Sequence, residues 1–205
     1  MLNKCKFKCV ILSKIIIALK TIVVFASGSG TNAEKIISYF AKVEQVTVSK
    51  IYTNNPKAGV IDRAAALGVD THVFVRNDFE KEVLSILQQD NPDLLALAGF
   101  LWKIPPKYIE AFPNKIINIH PSLLPKYGGK GMYGKHVFDA VVANNEQETG
   151  ITIHYVNEHY DEGGIIFQAK TPVAPTDTST DVAQKTHVLE HAHFAPQIHQ
   201  LLQNA

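Results

Sequence analysis

The chain has 205 residues, 46% of them hydrophobic, enough to bury one substantial core, and no Pro/Gly/Ser-rich linker divides it. Lysine and arginine number 20 against 19 acids, but Lys4, Lys6, Lys8, Lys14 and Lys20 crowd the first twenty residues, so from Thr21 on the balance is 15 against 19, a net of −4. A mildly acidic body speaks against a nucleic-acid surface, which needs a clustered basic face, and no apolar stretch reaches transmembrane length.

Residues 1–20 read as an N-terminal extension and residues 21–205 as a single domain. The extension has a Lys-bearing start and two apolar runs, Cys9-Val-Ile-Leu12 and Ile15-Ile-Ile-Ala-Leu19. Lys14 interrupts them and no small-x-small cleavage site follows, so a secretion signal is disfavoured. Both cysteines, Cys5 and Cys9, fall there. The body therefore has no disulfide framework and no Cys-based zinc site, as expected of a cytoplasmic protein.

From Thr21 on, short apolar runs alternate with helical patterns, which predicts a mostly parallel, doubly wound α/β sheet with helices on both faces. Strands are expected over 21–26, 46–53, 71–75, 94–98, 116–119, 151–156 and 165–171. Helices are expected over 32–40, 58–67, 78–89, 106–112, 136–144 and 180–202. Thr178-Ser-Thr-Asp181 opens the last helix with a hydroxyl and a carboxylate that can cap its first amides. The final two strands follow each other without a helix, so that edge is expected to be antiparallel. In open sheets of this class ligands bind beyond the carboxyl ends of the strands, which directs attention to the loops after Ala26, Ala98, Ile119 and Val156.

The first of these loops, Gly28-Ser-Gly-Thr-Asn32, turns sharply from strand into helix and aims the helix's first amides outward, an anion site. A dinucleotide would also need an acid at the end of the second strand. That strand ends Ile51-Tyr-Thr-Asn-Asn55 with no carboxylate. A phosphomonoester is favoured over NAD, with a plain strand-to-helix turn as the bland alternative.

In Asn118-Ile-His-Pro-Ser-Leu-Leu-Pro125 the spacing of two puts the Asn118 amide and the His120 imidazole on one side of a strand. Such a pair suits a reaction in which negative charge grows on a carbonyl oxygen. The alternative is a polar strand end that caps nearby backbone. The loop Asn157-Glu-His-Tyr-Asp161-Glu-Gly-Gly164 is expected on the same side, where a carboxylate can pair with His120 and raise its pKa, Asp161 being preferred to Glu158 and Glu162 only by its place before the Gly163-Gly164 turn. His187 and His191 share a face of the last helix at i, i+4, but spacing fixes no third ligand, so no metal is assigned.

Together these segments, with Ala98-Gly-Phe100 and Leu189-Glu-His191, resemble the folate-dependent formyltransferases in order and spacing from about Thr21 onward. The Asn-x-His-Pro-Ser-Leu-Leu-Pro block is specific for that superfamily, and the glycine turn with Glu190 points to its glycinamide ribonucleotide branch. The resemblance implies a Rossmann-like fold and transfer of a formyl group from 10-formyltetrahydrofolate to the amine of 5′-phosphoribosylglycinamide, with no metal. Asn118, His120 and Asp161 match the family's catalytic trio. Gly30, Thr31 and Asn32 match its phosphate turn, and Glu190 a residue that holds the ribose. Leu101, Trp102, Lys103 and Ile104, with Asn157, Glu158, His159 and Tyr160, match the segments that enclose the pterin, and Arg76 is a candidate for the folate tail. Small-molecule substrates are implied, with no nucleic acid or membrane partner, in a monomer or homodimer.

The chain departs from the family at Lys126-Tyr-Gly-Gly-Lys-Gly-Met-Tyr-Gly134, richer in glycine and longer than the histidine-bearing loop of many members; no roles are assigned there. Two rivals share the chemistry. A methionyl-tRNA formyltransferase is expected to carry a further C-terminal domain, and a formyltetrahydrofolate hydrolase an N-terminal one. A nucleotide-binding module without catalysis, or an NAD enzyme, is the reading from another class.

Overall fold

The structure is a computed structural model that describes residues 19–204; the readings made on residues 1–18 lie outside them. A seven-stranded sheet has the order β3-β2-β1-β4-β5-β6-β7. In chain order its strands are β1 (Lys20–Phe25), β2 (Val46–Thr53), β3 (Thr71–Val73), β4 (Leu94–Leu97), β5 (Ile116–His120), β6 (Glu148–Tyr155) and β7 (Ile165–Pro172). The first five pair in parallel, whereas β5–β6 and β6–β7 are antiparallel. The α/β class and the mostly parallel doubly wound sheet match the sequence-based expectation.

Alternation along the strands divides the core in two. Ile22, Val24, Ala96, Ile117, Ile119 and Ile153 face one side. There they pack under α1 (Thr31–Phe40), α2 (Val60–Ala66) and α7 (Ser179–Gln203). Val23, Phe25, Tyr52, Leu95, Leu97 and Ile116 face the other. They meet α3 (Arg76–Lys81), α4 (Val83–Asp90) and α5 (Pro106–Ala111), while α6 (Lys135–Ala143) packs beside α7. Strands buried on both faces leave no polar alternation, which is why they read as apolar runs.

The helix expected over 78–89 is two helices that meet at Glu82, yet Phe79, Val83 and Leu87 continue one buried face across the break. The predicted cap of α7 is present: the Asp181 amide donates to Thr178 Oγ1 at 3.3 Å, and the Thr178 amide donates to Asp181 Oδ2 at 2.8 Å.

The topology creates the crevice. From β1 the chain winds outward to β2 and β3, then crosses to β4 on the other side, so the loops after β1 and β4 diverge. Ser27 ties them at the base: its amide donates to the Gly99 carbonyl at 3.0 Å, and its Oγ accepts from the Leu101 amide at 3.0 Å.

Candidate active site

The glycine turn forms one end of a cavity of about 620 Å³. Gly30, at φ 79°, caps α1 without any side-chain hydrogen bond. A Cβ there would lie 2.5 Å from Val60, so glycine is required by both conformation and space. The amides of Thr31, Asn32 and Ala33 have no acceptor within their own helix, as at every helix start, and the positive end of the dipole lies with them. Thr31 and Asn32 line the cavity. Asn32 Nδ2 donates to Glu190 Oε2 at 2.9 Å, which joins α1 to α7. Glu190 is 7% exposed, and burial raises its carboxyl pKa against the opposing pull of Asn32 and His187.

At the opposite wall, alternation along β5 puts Asn118 and His120 on the Ile116 side of the sheet. The loop that follows β5, with its cis Leu124–Pro125 bond, is fixed by buried polar groups. Thr152 Oγ1 donates to the Ser122 carbonyl at 2.7 Å and accepts from the Leu124 amide at 3.0 Å. Gln168 Nε2 donates to the Leu124 carbonyl at 3.1 Å and to Thr152 Oγ1 at 2.8 Å.

Asp161 reaches this centre by a different route from the one expected. Because β6 runs antiparallel to β5, its end, Tyr155, lies opposite Ile117, near the start of β5. The loop after Val156 therefore leaves at the wrong end of the sheet and must fold back. The Tyr155 amide donates to the Gly164 carbonyl at 2.9 Å, and a Cβ on Gly163 would overlap the Tyr155 carbonyl oxygen. The doubling back brings Asp161 between two imidazoles, Oδ2 3.5 Å from His120 Nδ1 and Oδ1 3.6 Å from His154 Nε2. Oδ2 also accepts from the Gly129 amide at 2.9 Å. Burial alone would raise the Asp161 pKa, but the His154 side chain, the His120 charge and the Gly129 N–H outweigh it and hold the carboxyl below its usual range.

The net shift of His120 also differs from expectation. Asp161 pulls its pKa up, and so does the Tyr127 carbonyl, which accepts from Nε2 at 2.8 Å. Burial is the larger influence, and the pKa lies below the ordinary imidazole value. Both ring nitrogens face acceptors, an arrangement that only the doubly protonated ring satisfies. Burial thus opposes the charge that these two acceptors favour.

His154 escaped the sequence reading. Its Nδ1 donates to the Tyr155 carbonyl at 2.8 Å, so in the neutral ring Nε2 accepts from Asn118 Nδ2 at 3.2 Å, whereas only the protonated ring can donate from Nε2 to Asp161. The available signal was the pairing of β5 with β6, which places Asn118 opposite His154. The unassigned glycine-rich loop also enters the site: residues 129–134 line the large cavity, with Phe138 and His187.

A smaller cavity of about 80 Å³ adjoins the centre, lined by Leu101, Trp102, Lys103, Ile104, Asn157, His159 and Tyr160 together with Asn118, His154 and Asp161. The apolar stretch Phe100–Ile104 divides between core and cavity wall. Phe100 and Ile104 are core residues, whereas Leu101 is exposed. Trp102 packs on Phe74 and Phe79 and carries Arg76 over its ring, with the guanidinium carbon 4.1 Å from the centroid. Lys103 Nζ lies 5.5 Å from the Tyr160 centroid. Glu158 is exposed and lines neither cavity. Arg76 lines neither cavity and lies over Trp102, which lines the smaller one.

The family model described as formyl transferase matches residues 20–198, nearly all of the described chain. The chain belongs to the formyl transferase family. Relatives of this formyl transferase include the phosphoribosylglycinamide formyltransferase of Bacillus subtilis, 35% identical over 191 residues, or 90% of this chain and 95% of that protein. The chloroplastic phosphoribosylglycinamide formyltransferase of Arabidopsis thaliana is 36% identical over 180 residues, 84% of this chain, and the match spans 62% of the plant protein, less than two thirds of its length. Among solved structures, glycinamide ribonucleotide transformylase 1 from Geobacillus kaustophilus superposes with a TM-score of 0.82 at 35% identity, covering 90% of this chain and 99% of that one.

In this formyl transferase, then, the sequence-derived trio converges at the junction of two cavities, with the glycine turn and Glu190 in the larger and the aromatic segment in the smaller. His187 and His191 stack with centroids 6.4 Å apart, and among the described residues no group of three His, Cys, Asp or Glu is placed to hold a metal ion. Nor is any described helix long and apolar enough to cross a membrane.

Proposed function

We propose that the chain, whose relatives are named phosphoribosylglycinamide formyltransferases, transfers the formyl group of 10-formyltetrahydrofolate to the amine of 5′-phosphoribosylglycinamide as a cytoplasmic enzyme of purine synthesis. The observation that carries this reading is the convergence of Asn118, His120 and Asp161 where an anion-receiving cavity meets one walled by aromatic and apolar side chains. The ribonucleotide's phosphate fits the uncapped start of α1 and its ribose fits the Asn32–Glu190 pair. The pterin is assigned to the apolar and aromatic wall around the smaller cavity, which brings the formyl group on N10 toward Asn118.

The neutral amine attacks the formyl carbon, and the carbonyl electron pair moves to oxygen. Asn118 donates to that oxyanion from the amide hydrogen that His154 leaves free. The new negative charge raises the proton affinity of His120, whose nitrogens already face Asp161 and the Tyr127 carbonyl. His120 takes up the proton that the attacking amine gives up, and the charged imidazole steadies the intermediate until it passes that proton on. Collapse breaks the bond between the formyl carbon and N10 of the folate. The proton lost by the amine is delivered to that nitrogen, and Asp161 orients its passage.

Replacing Asn118 by alanine removes one oxyanion donor, and turnover at saturating substrates is expected to fall by about 10² to 10³. Turnover within a few-fold of the parent would end the oxyanion role.

A further inference from the structure

The larger cavity has an imbalance of charge that the glycine turn does not correct. A phosphomonoester carries close to two negative charges at neutral pH, whereas a helix start offers the equivalent of about half a positive one. Arg63, a basic side chain bonded to the turn, is already engaged: its Nε donates to the Ser29 carbonyl at 3.0 Å, and its guanidinium pairs with Glu34. Among the residues that line the cavity, Lys130 is the sole lysine or arginine. It is exposed and has no ion pair or hydrogen bond among the described residues.

We propose that Lys130 is the counter-ion for the 5′-phosphate of the acceptor, drawn over the bound ribonucleotide by the glycine-rich loop that carries it. This rests on the acceptor assigned above. Lys130 sits between Gly129 and Gly131, neither of which has side-chain atoms to obstruct the loop's approach. An ammonium on a four-carbon stem serves such a role as a mobile point charge.

The same loop is joined to the reacting end. The Tyr127 carbonyl accepts from His120, and the Gly129 amide, one residue before Lys130, donates to Asp161. A phosphate held by Lys130 fixes the loop in the position that seats both groups. Binding energy from a remote, unreacting part of the substrate is thereby used at the reacting carbon. The titratable side chains facing this space from the other elements include His187 and Glu190 on α7, and His120 and Asp161 at the far wall. None of them supplies a permanent positive charge.

The test compares the full chain with Lys130→Met and Lys130→Arg on phosphoribosylglycinamide and on the riboside that lacks its 5′-phosphate. Lys130→Met is expected to raise the KM for the phosphorylated acceptor roughly 10- to 100-fold, the range of a charge-assisted contact, and to leave the folate KM within about twofold. Lys130→Arg recovers most of the loss. On the riboside, all three enzymes should have the same kcat/KM within about threefold. An equal penalty on both acceptors would mean that the lysine merely shapes the loop, and would overturn the assignment. So would no penalty on either, or a penalty confined to the folate. Calorimetry with ribose 5-phosphate reads the same contact without turnover, with at least tenfold weaker binding expected for Lys130→Met. If the parent shows no amine-dependent transfer yet loses ribose 5-phosphate affinity on this substitution, the reaction assignment fails and the Lys130 contact stands. Equal affinities in parent and variant defeat the contact itself.

Discussion

Asn118 and His154 are cross-strand partners of an antiparallel pair, and their side chains meet, Asn118 Nδ2 lying 3.2 Å from His154 Nε2. The imidazole is itself fixed by the bond from its Nδ1 to the Tyr155 carbonyl. One hydrogen of the Asn118 amide is thereby occupied and the other is aimed. His154→Phe keeps a ring in the strand but removes the acceptor, so the amide is free to rotate. The expected result is a fall in kcat of about tenfold, the scale of one hydrogen bond, with both KM values within about twofold. Steady-state kinetics that showed the loss in KM alone would assign His154 to binding instead of to positioning.

Asp161 raises the His120 pKa while burial lowers it, so removing the carboxylate charge leaves burial less opposed. Asp161→Asn suits the test because φ at this position is 58°, which asparagine tolerates. The His120 resonance is expected to titrate at lower pH in the variant than in the parent, followed by NMR. An unchanged titration would disconnect the pair.

Stability should depend on pH through the same ring. The folded-state pKa values of His120 and His191 lie below the ordinary imidazole value of 6.5, with burial the largest cause for each. As pH falls through about 6.5 the unfolded chain takes up protons that the folded chain does not. Stability is therefore lost on acidification in this window, until the folded-state imidazoles also titrate. The depressed Asp161 carboxyl acts in the same direction but lower down, below its ordinary value of 3.8. Thermal melts at pH 7.5 and 5.5 are expected to give a lower Tm at 5.5 and a shallower dependence for His120→Gln. A Tm that rose on acidification would contradict the assigned direction.

The proline loop depends on Thr152, fully buried, whose hydroxyl serves the Ser122 carbonyl and the Leu124 amide. Thr152→Val keeps the volume and orphans both groups, a cost of about 1–3 kcal/mol per unsatisfied group. Calorimetric melting should show the loss as a lower Tm. A Tm within a degree of the parent would show that the loop does not depend on this hydroxyl.

The strands were largely legible from the residues because both faces of the sheet are covered, so a strand such as Ile22–Phe25 stands out as an unbroken apolar run between helical patterns. Asn118 and His120 were legible for a local reason, since a spacing of two in a strand fixes a common face. The path of Asp161 was not, because it depends on β6 pairing antiparallel with β5, a long-range choice that no local spacing encodes. The same pairing hid His154. The His120 shift was misjudged because a neighbouring carboxylate can be expected from sequence, whereas the depth of burial, 4% exposed, is set by the whole fold. The break at Glu82 was missed because Phe79, Val83 and Leu87 keep the helical period across it.

The most direct measurement follows tetrahydrofolate formation by absorbance from 10-formyltetrahydrofolate, with and without phosphoribosylglycinamide, and identifies where the formyl group goes. Formyl transfer predicts that product forms only with the amine present and that one formyl group reaches the amine per folate released. Folate release at the same rate without the amine, with formate as the product, would contradict it.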